Sequence, residues 1–164
     1  MPALGLLLLL VACAPRRETP PASEAPRNVD ATGSAISLER TACFGACPVY
    51  RISVSPEGVI TYEGTAHVRQ LGRATAQIAP ERLQALLSEL EKAGYFSLAL
   101  RYTPAEPACG RYSTDSPSTI TSVQFRDRSK RIEHDHGCGN VPRALAVLEH
   151  RIDEVLGSAR WTGR

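Results

Sequence analysis

The chain has 164 residues, 43% of them hydrophobic, enough to bury the core of a single domain. Lys and Arg number 19 against 17 Asp and Glu, a formal charge of +2 with both signs mixed along the chain. That balance excludes a dedicated nucleic-acid binder, which needs a basic stripe on one face.

Residues 1–12 read as a lipoprotein signal peptide. "ALGLLLLLVAC" is too short to span a bilayer as a mature helix and fits the apolar region of a secretory signal. Its end, Leu10-Val11-Ala12-Cys13, resembles the bacterial lipobox at all four positions. The resemblance implies that Cys13 is acylated, by palmitate or a similar chain, and becomes the first mature residue. "MPALG" lacks the usual Lys or Arg, so either the amino terminus supplies the positive charge or the start lies further upstream. Residues 13–35 follow as a Pro-rich, aperiodic tether. Ala14 after the acylated position resembles the sorting pattern for the outer membrane. The expected location is the bacterial cell envelope, facing the periplasm on a lipid anchor in the membrane.

The folded domain is expected over residues 36–157. "ISLER" places Ile36, Leu38 and Arg40 on one face of a half-buried strand. "VYRISVS" and "VITYEG" form a hairpin around "SPEG", with Tyr50, Ile52 and Val54 on one face, then Ile60 and Tyr62. "AHVRQL" and "ATAQI" are weaker strand candidates around Gly72. "PERLQALLSELEKAG" is a helix: Leu83, Leu86, Leu87 and Leu90 make its apolar stripe, Pro80 suits its first turn and Gly94 its stop. "RYTPAEPACGRYSTDSPST" has the composition of a long loop, with Cys109 as a candidate pin. "TITSVQF" and "SKRIEHDH" form a second hairpin around Asp127-Arg128-Ser129, with Ile132, His134 and His136 on one face. A last helix runs from about Val141 to Leu156, capped by Asn140, lined by Leu145, Leu148, Ile152 and Val155, and stopped by Gly157. Residues 158–164 read as a frayed tail. The fold class is α+β: a mostly antiparallel sheet of five to six strands with two helices on one face.

"ISLERTACFGACPVYRISVSPEGVITYEG", with its Cys-Phe-Gly-x-Cys-Pro-x-Tyr motif, resembles the opening of a bacterial family, domain of unknown function 6438. The leucine-rich helix ending near Tyr95-Phe96 and the Thr114-Asp115-Ser116-Pro117 element continue the resemblance to about residue 156. It implies an exported or lipid-anchored α+β domain and carries no activity with it.

Setting Cys13 aside leaves Cys43, Cys47, Cys109 and Cys138, an even set with three possible pairings in an oxidising compartment. Proximity favours Cys43–Cys47, which leaves Cys109–Cys138. The opening motif has sharper readings as well. Cys-x-x-x-Cys-Pro resembles the copper and redox motif of Sco-type proteins, but the chain lacks the βαβ alternation of their thioredoxin fold. His134 and His136, two residues before Cys138, are imidazoles of the kind that hold copper or zinc. Cys43, Cys47, His134 and His136 are therefore an alternative Cu or Zn set, and the alternative function is a periplasmic copper or zinc binder or a thiol redox protein using these two segments. His67 and His150 stand alone, and Arg126, Arg128, Lys130 and Arg131 read as a solvated hairpin tip. No nucleophile elbow, phosphate loop or paired carboxylates stand out, and Ser113, Asp115 and Ser116 read as loop residues. The expectation is a non-catalytic interaction module without a cofactor. It would be held at the membrane by its lipid, would not bind nucleic acid, and would have an envelope protein as partner.

Overall fold

The computed structural model describes Met1 and residues 35–163. Cys13 and the rest of residues 2–34 lie outside the described residues; Ala35, expected as the last residue of the tether, instead belongs to the fold, buried and with its backbone bonded to Val54 and Gln124. β1 (Ile36–Arg40) lies at the centre of a seven-stranded sheet. On one side of it stand β2 (Val49–Val54), β3 (Val59–Ala66) and β4 (Gly72–Gln77), a meander of consecutive hairpins. On the other side stand β6 (Ser118–Phe125), β7 (Arg128–Asp135) and β5 (Arg101–Tyr102). The order is β4-β3-β2-β1-β6-β7-β5, and among the described strands only β5 against β7 is parallel.

Period-two alternation makes the sheet one-sided. Ile36, Leu38, Ile52, Val54, Ile60, Tyr62, Val123 and Ile132 are buried. Their neighbours Arg51, Ser53, Thr61, Ser122 and Gln124 are half-buried or exposed. The buried face is covered by α1 (Pro80–Lys92) and α2 (Arg143–Leu156), whose leucine stripes join the same core. Pro80 opens α1, and Gly94 turns left-handed at φ +83 just beyond it. Helices on one face of a mostly antiparallel sheet give the expected α+β class.

The structure corrects several finer expectations. Among the described residues there are seven strands, not five to six, because Arg101–Tyr102 inside the expected long loop pairs with β7. The second hairpin turns one residue early, at Arg126-Asp127, where Arg126 takes φ +57 and Phe125 faces Arg128 across the pair. Asn140 does not cap α2, which starts after Pro142 with no side-chain cap. Residues 158–163 of the expected frayed tail are ordered: α3 (Ala159–Thr162) is a third helix among the described residues, and Trp161 stacks on Tyr62 with ring centroids 4.8 Å apart. Backbone bonds from Gln70 and Arg69 to the Trp161 and Thr162 carbonyls tie it to the β3–β4 loop. A large aromatic ring offered to an open core position outweighs the polar composition around it. Lys130 is not a solvated tip residue, because its ammonium donates to the Phe96 and Leu98 carbonyls.

Candidate functional site

The register places one row of polar side chains across the end of the covered face. Tyr50 pairs with Arg40, Arg40 with Thr119, Thr119 with His134, and His134 with Tyr102, on five adjacent strands. In each long strand of the row the residue two positions further into the core is Ile52, Leu38, Thr121 or Ile132, all buried. The row is therefore where the apolar face gives way to chemistry. α2 lies over it and lowers two carboxylates onto it. Glu149 and Asp153 are one turn apart, on the same stripe as Leu145, Leu148, Ile152 and Leu156.

Asp153 holds the β1–β2 end. Arg40 donates from Nε and Nη2 to Asp153 Oδ2 at 2.9 and 2.7 Å, and Tyr50 donates its hydroxyl proton to Oδ1 at 2.6 Å. Burial alone would lower the Arg40 pKa, but the Asp153 charge and hydrogen bonds outweigh it and raise it. The Tyr50 phenol is pushed well up, first by burial and then by the Asp153 charge. A cleft of about 330 Å³ opens here, lined by Arg40, Pro48, Tyr50, His150, Asp153 and Ser158. Arg40 and Asp153 neutralise each other at its wall, so it offers little free charge to a ligand.

Arg40 also joins the two halves of the row: Nη1 donates to Thr119 Oγ1 at 2.9 Å. With that oxygen accepting from Arg40, its own proton goes to His136 Nε2, 2.6 Å away. The His136 pKa is lowered to about 4, first by burial and then by His134 and Arg40, so the ring is neutral and accepts that proton. A hydroxyl against an imidazole has the geometry of a nucleophile and its base. Thr119 is only 1% exposed, however, and no substrate carbon reaches its oxygen.

Glu149 closes the other end. Its Oε1 lies 2.8 Å from His134 Nδ1, and the His134 ring stacks on His136 with centroids 4.2 Å apart. Burial raises the Glu149 pKa, and the His134 hydrogen bond opposes the rise. Glu149 Oε2 is buried and has no hydrogen-bond partner among the described residues; His136 Nε2 is 3.8 Å from it.

The cysteines of the domain are bonded in two pairs, and Cys138 Sγ lies 3.4 Å from the carbonyl oxygen of Tyr102 at the end of the row. Cys43 is bonded to Cys47, and Cys109 to Cys138. The first bridge closes a surface ring after β1, tied down where Phe44 N–H donates to the Asp115 carbonyl and Thr41 N–H to Ser118. The second joins the 3-10 turn at Pro107–Cys109 to the segment after β7. Gly137 is required there, since a Cβ on it would lie 2.0 Å from the Ser113 carbonyl oxygen. His136 N–H binds the Pro117 carbonyl, so the first ring and the histidines reach the 115–118 segment from opposite sides. Cys43 and Cys47, bonded to each other, offer no thiolates. Of the expected metal set, the structure joins His134 and His136 to each other and to Glu149 instead. His67 and His150 are exposed, as expected of isolated histidines.

A family model described as Domain of unknown function (DUF6438) matches residues 34–156. The chain belongs to this family. The DUF6438 match opens two residues before β1 and closes on the last residue of α2, so it takes in the whole polar row and both carboxylates but not α3. No curated protein matches the chain. Within the DUF6438 domain, sequence reading found His134 and His136 but missed Arg40, Glu149 and Asp153 as site residues. The signal was present: Arg40 continues the Ile36, Leu38 face, and the two acids fall on the leucine stripe of α2.

Proposed function

We propose that this DUF6438 protein is a lipid-anchored, non-catalytic interaction domain of the bacterial cell envelope, held to the membrane through Cys13 and docking to an envelope protein. The lipobox supports the anchor, and two closed cysteine pairs suit an oxidising compartment. The observation that carries the docking role is Phe44. The residue is 90% exposed, yet its loop is closed by the Cys43–Cys47 bond and tied to Asp115. An exposed aromatic ring on a pre-ordered loop is the usual anchor of a protein interface, because little conformational freedom is lost when it is buried. The partner it fits is a protein presenting an apolar pocket.

Photo-crosslinking in cells tests this reading. A benzophenone side chain at position 44 should give one discrete adduct in the membrane fraction, absent when the same probe stands at exposed Leu71 or Val147. The same adducts from all three positions, or none from 44, would reject Phe44 as the docking anchor.

A further inference from the structure

We infer that His134, His136 and Glu149 form a three-ligand site for a divalent first-row transition ion of the zinc type. Each residue can offer one ligand atom so that the three atoms lie within 4.8 Å of one another. The donor set, two imidazoles and a carboxylate, is the one zinc accepts when a fourth position is left to water or a ligand. Neither bridge contributes, since all four cysteines of the domain are bonded in pairs.

Glu149 supplies the independent observation. Its side chain is 1% exposed, and Oε2 has no hydrogen-bond partner among the described residues. A buried carboxylate oxygen left without a donor is costly, and proteins seldom keep one without a reason. Across from it, 3.8 Å away, is His136 Nε2. That gap is too long for a hydrogen bond. It suits a bridging ion: bonds of about 2.1 Å to both atoms would subtend roughly 130°. His134 would complete the set. The His136 side chain is 31% exposed, so an ion can enter from solvent at that side. Binding displaces the Thr119 hydroxyl from His136 Nε2, leaving Arg40 as a partner of the Thr119 oxygen.

The test uses untagged protein with both disulfides intact, stripped with chelator and titrated calorimetrically with Zn²⁺. The visible spectrum of Co²⁺ serves as a second readout. One saturable equivalent is expected, with an intense Co²⁺ spectrum of low coordination number. Affinity should fall at least tenfold in His136→Ala and in Glu149→Gln and stay unchanged in His67→Ala. Circular dichroism confirms that each variant is folded. His136→Ala alone decides if Glu149→Gln is not folded, because His136 is at the rim. Absence of a saturable equivalent, or binding that survives His136→Ala, would overturn the site. The Phe44 docking role does not depend on the metal, and the crosslinking result stands whichever way this titration falls.

Discussion

Removing the two bridges one at a time should reveal their unequal weight. Cys43–Cys47 spans 4 positions of sequence and Cys109–Cys138 spans 29. On the chain-entropy model, closing the shorter loop stabilises by about 1.9 kcal/mol and the longer by about 3.6 kcal/mol. The described domain of residues 35–163 has an unfolding entropy of about 0.27 kcal/mol/K, from roughly 2.1 cal/mol/K per residue. Cys43→Ser with Cys47→Ser should therefore lower Tm by about 7 °C, and Cys109→Ser with Cys138→Ser by about 13 °C. Burial works in the same direction, since Cys109 and Cys138 are 2% and 7% exposed while Cys43 and Cys47 are half-exposed. Two buried serine hydroxyls add a desolvation cost that exposed ones do not. Thermal unfolding followed by far-ultraviolet circular dichroism reads both values. Equal shifts, or a larger shift from the first pair, would refute the loop-length argument and assign the opening ring a native-state role beyond its own turn.

Three further outcomes follow from the core and the polar row. Trp161→Ala should cost about 3–5 kcal/mol, because it empties the site stacked on Tyr62; a loss under 1 kcal/mol in chemical denaturation would mean that α3 is not docked. Asp153→Ala strands Arg40 and Tyr50 and should cost about 3 kcal/mol, the low end for a broken buried pair because Arg40 stays 24% exposed. Adding Arg40→Met should recover part of that loss, and strictly additive losses would show the two are uncoupled. In chelator, acid should weaken the fold as His136 is forced to charge. The folded ring titrates at about 4 against an ordinary 6.5, so its contribution is complete above about 6.5 and is lost as pH falls toward 4. The full difference would be about 3 kcal/mol, and exposure of the ring reduces it to about 1–2 kcal/mol. Glu149 opposes this, since its raised pKa favours the fold at low pH, while His134, Arg40 and Asp135 set the local charge. His136→Gln, which can still bond Thr119, should flatten the stability profile between pH 4 and 6.5; an unchanged slope would assign the acid sensitivity elsewhere.

The legible parts of the fold were those written in short periods. Ile36, Leu38, Ile52, Val54, Ile60 and Tyr62 alternate cleanly, and four leucines mark α1, so strands and helix are found with their buried faces. β5 escaped because two residues have no period, and its pairing with β7 is set by the chain around Cys109 and Leu100. The tail escaped because Trp161 finds Tyr62 only once β3 and the β3–β4 loop are in place. At the site, the histidines were conspicuous by chemistry. Their partners were hidden by expectation: an arginine at a strand end and acids on a helix normally face water. Only the cross-strand register, which sets Arg40 beside Tyr50 and Thr119, and the seat of α2 above it show that these charges face one another.

The account of an anchored envelope domain is tested most directly by mass spectrometry of the protein purified from membranes, with and without reduction. It predicts a mature chain beginning at acylated Cys13, residues 1–12 absent, and peptides linked Cys43 to Cys47 and Cys109 to Cys138 that separate only on reduction. An unmodified Cys13 within a chain that still begins at Met1, or a peptide linking Cys43 or Cys47 to Cys138, would contradict it.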